Sequence, residues 1–281
     1  MLLGIVLALS LLIAATVCLL TGGFTGLGWL WILPVSFLGA FVVLAALAFL
    51  FFWLMCKRVD IHKPQENDSK FYRRMMHLYV DAIFTVARVK VVTRGMEQTP
   101  KSGRFLLVCN HVDNIDPAFL LTCFRKSQLA FISKREVQHF FMVGQLMHKI
   151  LCQPINREND REALKTILKC IQIIKEDKAS IAVFPEGGIK GGNVLHPFRS
   201  GVFKIALRTK VPVVVCTLWG TQDVFRNGLR LKPTDVQFHV LGVVQPEVYK
   251  DMTAVDLGHL VHDMMAKDLG PDRVLNIEEN P

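Results

Sequence analysis

The hydrophobic pattern divides the chain at residue 56. Leu2 to Leu20 is an uncharged, mostly apolar run, and roughly 20 helical residues cross a hydrocarbon core. Thr21-Gly22-Gly23-Phe24-Thr25-Gly26 reads as a turn. A second uncharged run, Leu27 to Cys56 with Pro34 near its start, is long enough to span with tilt. The pattern predicts a transmembrane helical hairpin over 1–56. Lys57 and Arg58 close it, and basic residues favour the cytosolic side. A cleaved signal peptide fits less well, because no basic stretch precedes the first run and the second would still anchor the chain.

Residues 57–99 form a linker and a juxtamembrane helix. Pro64-Gln65-Glu66-Asn67-Asp68 is linker-like, and Phe71, Met75, Leu78, Tyr79, Ala82, Ile83 and Val86 then recur at helical spacing. Arg73, Arg74 and Asp81 lie off that stripe. Such a helix can lie on a bilayer or pack into a core, and the pattern fits both.

From residue 100 to 281 the pattern alternates. Counting the run that leads in, strands are expected at Val89–Thr93, Arg104–Cys109, Leu129–Ile132, Ser180–Phe184, Val211–Leu218 and Val236–Val244. Helices are expected near Pro117–Phe124, Val137–Ile150, Asp160–Lys175, Gly201–Thr209 and Ala254–Lys267. Asn159, with Glu162 three residues on, has the form of a capping box. The expected fold is α/β, a layered domain with a central mixed sheet flanked by helices, preceded by the hairpin.

Charge sharpens the division. All 33 basic and 24 acidic residues lie beyond Cys56, so the net charge of +9 belongs to the second part. A basic domain tied to a membrane suits anionic headgroups and phosphorylated substrates, with Lys57, Arg58, Arg73 and Arg74 expected to face the lipid. Nothing resembles a nucleic-acid-binding motif. The seven Cys form no CxxC pair and read as buried free thiols of a reducing compartment.

Three polar clusters follow apolar, strand-like or extended runs, and ligands of open α/β sheets bind beyond the carboxyl ends of strands. The first is Asn110-His111-Val112-Asp113-Asn114-Ile115-Asp116-Pro117. Asp116-Pro117 reads as an N-cap followed by Pro at the first helical position, which puts His111 on a loop that can bend back to the carboxylate. That pairing is one way to build a general base; the alternative is a turn histidine beside a capping Asp. The second cluster, Gln153-Pro154-Ile155-Asn156-Arg157, offers a guanidinium suited to phosphate or an ordinary surface arginine. The third, Phe184-Pro185-Glu186-Gly187-Gly188-Ile189-Lys190-Gly191-Gly192, is either an anion-binding turn or a glycine-rich surface loop. It lacks the nucleotide phosphate-loop spacing.

Taken together, these residues resemble the glycerolipid acyltransferase family, and within it the 1-acylglycerol-3-phosphate acyltransferases. Asn110, His111 and Asp116 match the family's NHxxxxD motif. Arg157 resembles the arginine of its second motif, and Phe184-Pro185-Glu186-Gly187 matches the third. Val211-Pro212-Val213-Val214-Val215 is similar to the fourth, with Phe198-Arg199-Ser200-Gly201 leading towards it. Gly188 stands where the family usually has Thr or Ser, Ile189 where Arg is common, and Asp113 where Ser is frequent. Lys190 is a substitute for the missing charge.

The resemblance implies transfer of an acyl chain from acyl-CoA or acyl carrier protein to the free hydroxyl of a lysophospholipid. His111 would be the base and Asp116 its orienting group. Arg157, Glu186, Gly187 and Lys190 would hold the glycerol phosphate, with Asn110, Asp113 and Gly188 as further site positions. Glu186, itself anionic, would orient Arg157 or Lys190, or bind a glycerol hydroxyl. No metal or cofactor is implied. The other readings are a different acceptor such as glycerol 3-phosphate, a thioesterase, or a non-catalytic lipid-binding scaffold.

Overall fold

A computed structural model describes residues 1–191 and 194–275. Gly192 of the third cluster and residues 276–281 of the expected domain lie outside the described residues. In chain order the elements are α1 (Leu2–Leu20), α2 (Trp29–Lys57), α3 (Lys70–Val86), β1 (Val89–Arg94), β2 (Leu106–Cys109), α4 (Asp116–Cys123), β3 (Leu129–Lys134), α5 (Val143–Lys149), β4 (Gln153–Ile155) and α6 (Asp160–Lys175), followed by β5 (Ser180–Val183), α7 (Lys204–Thr209), β6 (Val213–Trp219), α8 (Val224–Leu229), β7 (Thr234–Val244), α9 (Pro246–Tyr249) and α10 (Ala254–Leu269).

The seven strands form one mixed sheet in the order β1-β7-β6-β2-β5-β3-β4. From β6 to β4 all neighbours are parallel. β7 runs antiparallel to β6, and β1 pairs parallel with β7. Every residue of β2 and β5 is buried, as expected for parallel strands covered on both faces. Alternation along β2 builds two cores. Leu107 and Cys109 face α3 and α4, while Leu106 and Val108 face α6, α7 and α10.

α1 and α2 are long and apolar enough to cross a membrane, and much of their large apolar surface, such as Leu11, Trp31 and Leu38, is exposed. α3 joins them to the domain. Its Tyr72 and Tyr79 hydroxyls donate to the Met55 and Ala48 carbonyls of α2, at 3.1 and 2.6 Å. The same helix buries Met76 and Phe84 in the domain, with Phe84 stacked on Phe119. α3 is therefore a core helix that also grips the anchor.

Burial on α3 departs from the expected stripe. Phe71, Ile83 and Val86 are exposed, whereas Arg73 is buried. Its guanidinium is bound to Asp68 at 2.5 Å and donates to the Leu129 carbonyl. Arg73 is thus committed inside the protein and does not face lipid.

Other local expectations also change. The helix expected over Val137–Ile150 is split into a 3-10 turn, Arg135–His139, and α5. At the break Met142 takes φ +67°, and the Gly144 Cα packs against the Gln138 backbone, where a Cβ would fall 2.0 Å from the carbonyl oxygen. The Asn159 box is half formed: its side chain accepts the Arg161 and Glu162 amides, but the Glu162 carboxylate goes to Asn156. A complete capping box lies instead at Thr253 and Asp256. β4, α8 and α9 were not expected. They span 3, 6 and 4 residues, too short to show a period.

Candidate functional site

The carboxyl ends of the parallel strands β2, β5 and β6 place three segments side by side. Just past β2, the Asn110 side chain takes over the ladder. Its amide donates to the Leu218 carbonyl and its oxygen accepts the Leu218 N–H, both at 2.8 Å. This pins the start of the following loop to β6.

The loop then bends back. His111 Nδ1 lies 2.8 Å from Asp116 Oδ2, and the same oxygen accepts the Val112 and Asp113 N–H groups at 2.7 and 2.9 Å. Asp116 is fully buried. Its expected role as N-cap is corrected: the helix begins at Asp116 itself, after Ile115, and the carboxylate serves the preceding loop rather than the helix amides. The imidazole stacks on Phe184, with centroids 4.2 Å apart. A neutral imidazole that donates its Nδ1–H to this carboxylate presents its lone pair at Nε2. Asp113 Oδ1 accepts the Ile115 N–H. Burial, then the nearby Asp116 charge, raise the Asp113 pKa, partly opposed by that hydrogen bond.

Glu186 occupies a different place from the one expected. It is buried, and its two oxygens accept the backbone N–H groups of His111, at 2.7 Å, and His196, at 3.0 Å. It therefore orients neither Arg157 nor Lys190. Burial raises its pKa, and the two amides partly offset this. Glu186 ties the His111 loop to the segment after the glycine turn.

The turn itself depends on missing side chains. Gly187 has φ +79°, and a Cβ there would fall 2.8 Å from Arg199 Nε. Gly188 has φ +144°, and its Cβ would fall 2.9 Å from Arg157 Nη1. The glycines let Arg157 and Arg199 lie against the turn, and burial, then Arg199, lower the Arg157 pKa. A cleft of about 240 Å³ opens beside His111, lined by Asn110, Lys190, His196, Trp219 and Arg273 among others. The structure thus gathers His111, Asp116, Asn110 and Glu186 tightly. Lys190 lies on the cleft wall, and Arg157 packs against Gly188.

His196, Trp219 and Arg273 escaped the sequence reading. None sits in a motif, and only the chain's return to the cleft brings them in. Cys109 and Cys216, paired on β2 and β6, lie beneath the site, and burial pushes both thiols well above their ordinary range. They are poor nucleophiles.

The acyltransferase family model aligns with residues 90–219. A probable 1-acyl-sn-glycerol-3-phosphate acyltransferase of Mycoplasma pneumoniae is 32% identical over 181 residues, covering 63% of this chain and 65% of that protein. The 1-acyl-sn-glycerol-3-phosphate acyltransferase of Limnanthes alba is 26% identical over 194 residues, covering 69% and 68%. The matched region thus spans about two thirds of these relatives or slightly less. The crystal structure of the 1-acyl-sn-glycerophosphate (LPA) acyltransferase from Thermotoga maritima shares the fold, with a TM-score of 0.59 at 22% identity, over 70% of this chain and 78% of that one. The segment that the acyltransferase model matches carries the His111–Asp116 pair, Arg157 and the Glu186 turn.

Proposed function

We propose that this protein transfers a fatty acyl chain from a thioester, acyl-CoA or acyl carrier protein, to the free hydroxyl of 1-acylglycerol 3-phosphate, giving phosphatidic acid. The observation that carries the reading is the 2.8 Å contact of His111 Nδ1 with buried Asp116 at the cleft wall. The relatives' names supply the substrate class.

The hydroxyl loses its proton to His111 Nε2 as its oxygen attacks the thioester carbonyl. Asp116 holds the ring in the required tautomer and stabilises the imidazolium. The tetrahedral intermediate collapses with cleavage of the C–S bond, and the thiolate takes the proton back from His111. A thioester is already an activated donor, so the chemistry needs a base and positioned substrates but no covalent enzyme intermediate. Arg157, Gly187 and Lys190 are the groups of the turn region that would hold the glycerol phosphate, while Glu186 fixes the His111 loop beside them.

The anchor belongs to the same reading. α1 and α2 would lie in the bilayer with Lys57 and Arg58 at the cytosolic surface. The α/β domain, held on α2 through Tyr72 and Tyr79, would then take its acceptor directly from the membrane.

The test uses the full chain in phospholipid nanodiscs with lysophosphatidic acid and labelled acyl-CoA. Phosphatidic acid should form, and His111→Ala should abolish it while circular dichroism stays unchanged. Equal turnover by His111→Ala would sink the mechanism. Free fatty acid as sole product would show a thioesterase, and lipid binding without turnover a scaffold.

A further inference from the structure

Ile189 is the one large apolar residue of the turn between Gly188 and Lys190. Ile189 lines the cleft beside His111, so the position faces the site but offers no charge. Two cations line the same cleft: Lys190 next to it, and Arg273 from the far end of the chain.

Arg273 is built into this wall. Its carbonyl accepts the Leu195 N–H at 2.7 Å, and the Leu195 carbonyl accepts the Leu275 N–H at 3.0 Å. This short parallel pairing seats the C-terminal segment on the strip beside His196. His196 in turn donates its N–H to Glu186, which also holds the His111 amide. The backbone of Arg273 is therefore linked through successive hydrogen bonds to the loop of the base.

The side chain is placed as well. The Arg273 guanidinium lies 5.3 Å from the centre of the Trp219 ring, and a planar cation over an indole is held without losing its donors. The indole also makes an edge contact with His239, 4.6 Å between centroids. His239 Nδ1 lies 3.1 Å from Asp268, which accepts the Thr217 hydroxyl at 2.6 Å. Asp223, the carboxylate on the cleft wall, is paired with Arg226. Neither Arg273 nor Lys190 has an ion-pair partner among the described residues.

We propose that Arg273, with Lys190, binds a phosphate group of a substrate in the His111 cleft, so that the C-terminal segment supplies the guanidinium that Ile189 does not. The proposal rests on the acyltransferase reading for its substrates. Phosphate occurs both on the lysophosphatidate headgroup and on the donor's coenzyme or carrier arm. A guanidinium fork and an ammonium suit it in either case.

The experiment uses full-length protein in nanodiscs and the variants Arg273→Gln, Arg273→Lys, and Arg273→Gln combined with Ile189→Arg. Arg273→Gln should raise KM for one phosphate-bearing substrate by about tenfold or more, with a much smaller change in kcat, since one charge-assisted contact is lost. Arg273→Lys should fall between, and Ile189→Arg in the Gln background should restore KM. A rise in acceptor KM assigns the site to lysophosphatidate, and a rise in donor KM assigns it to the carrier's phosphate. Unchanged KM for both substrates, or a loss confined to kcat, overturns the proposal. A second arm titrates glycerol 3-phosphate and inorganic phosphate into the His111→Ala chain. Binding should weaken about tenfold on adding Arg273→Gln, and binding unaffected by that change also overturns it. This arm needs no turnover, so it reads the Arg273 site even if acyl transfer fails.

Discussion

Glu186 Oε1 accepts the backbone N–H of His111 at 2.7 Å, which ties the third motif's carboxylate to the loop of the first motif's base. The second oxygen is used too, by the His196 N–H. Glu186→Gln should therefore be far from silent. Whichever way the amide is placed, its NH₂ meets one of two N–H donors, and the loop must shift. Turnover should fall on the order of 10- to 100-fold, the range of one lost charge-assisted hydrogen bond. Single-turnover kinetics of the variant would check this. A variant as fast as the parent would show that the contact does not position His111.

Asp116→Asn tests the tautomer. The amide can present NH₂ or oxygen towards His111 Nδ1, while the Val112 and Asp113 N–H groups still demand an acceptor. With oxygen facing those amides, Nδ1 is left to face the same oxygen with a weakened, uncharged partner. Loss of kcat by about 10³- to 10⁴-fold is expected from comparable base-orienting carboxylates. Steady-state kinetics at saturating substrate would check this, and a variant that kept the parent's kcat would show that Asp116 does not orient the base.

How far the sequence could be read depended on range. α1 and α6 match their expected ends because each is a long run with one period or none to compete. The buried parallel strands are short apolar blocks and were equally visible. Val137–Ile150 failed because its periodicity was locally helical, while the close approach of Gly144 to Gln138 is a tertiary fact. At the site, His111 and Asp116 are five residues apart and could be paired on paper. The partners of Glu186 lie 75 and 10 residues away, and Arg273 reaches the cleft through a pairing with Leu195. No local pattern encodes such meetings.

Gly188→Ala probes the departure in the third motif. The backbone at φ +144° favours glycine, and the new methyl would fall 2.9 Å from Arg157 Nη1. The guanidinium is the flexible end of a side chain and can move, so most of the stability cost should come from the backbone, about 1–3 kcal/mol. If Arg157 holds substrate phosphate, its displacement should also raise KM for lysophosphatidate. Thermal melts and steady-state kinetics would separate the two effects. A changed melt with unchanged KM would mean that Arg157 is not in contact with the acceptor.

His77 on α3 predicts a pH dependence of stability remote from the cleft. Both its ring nitrogens are buried without hydrogen-bond partners. Burial first, then the Arg125 and Arg73 charges, lower its pKa from the ordinary 6.5, against smaller opposing effects of Asp81 and Asp68. Below about pH 6.5 the unfolded chain therefore binds a proton that the folded chain resists. The neutral histidine is tolerated above that pH, and stability is lost as pH falls through 6.5 towards the lowered folded-state value. His77→Phe removes the proton site and two unpartnered nitrogens while keeping a ring of similar shape. Its melting temperature should depend less on pH between 6.5 and 5 than that of the parent, with the largest gain at the acid end. Melts of parent and variant from pH 5 to 8 would decide the matter, and parallel curves would remove His77 from the acid response.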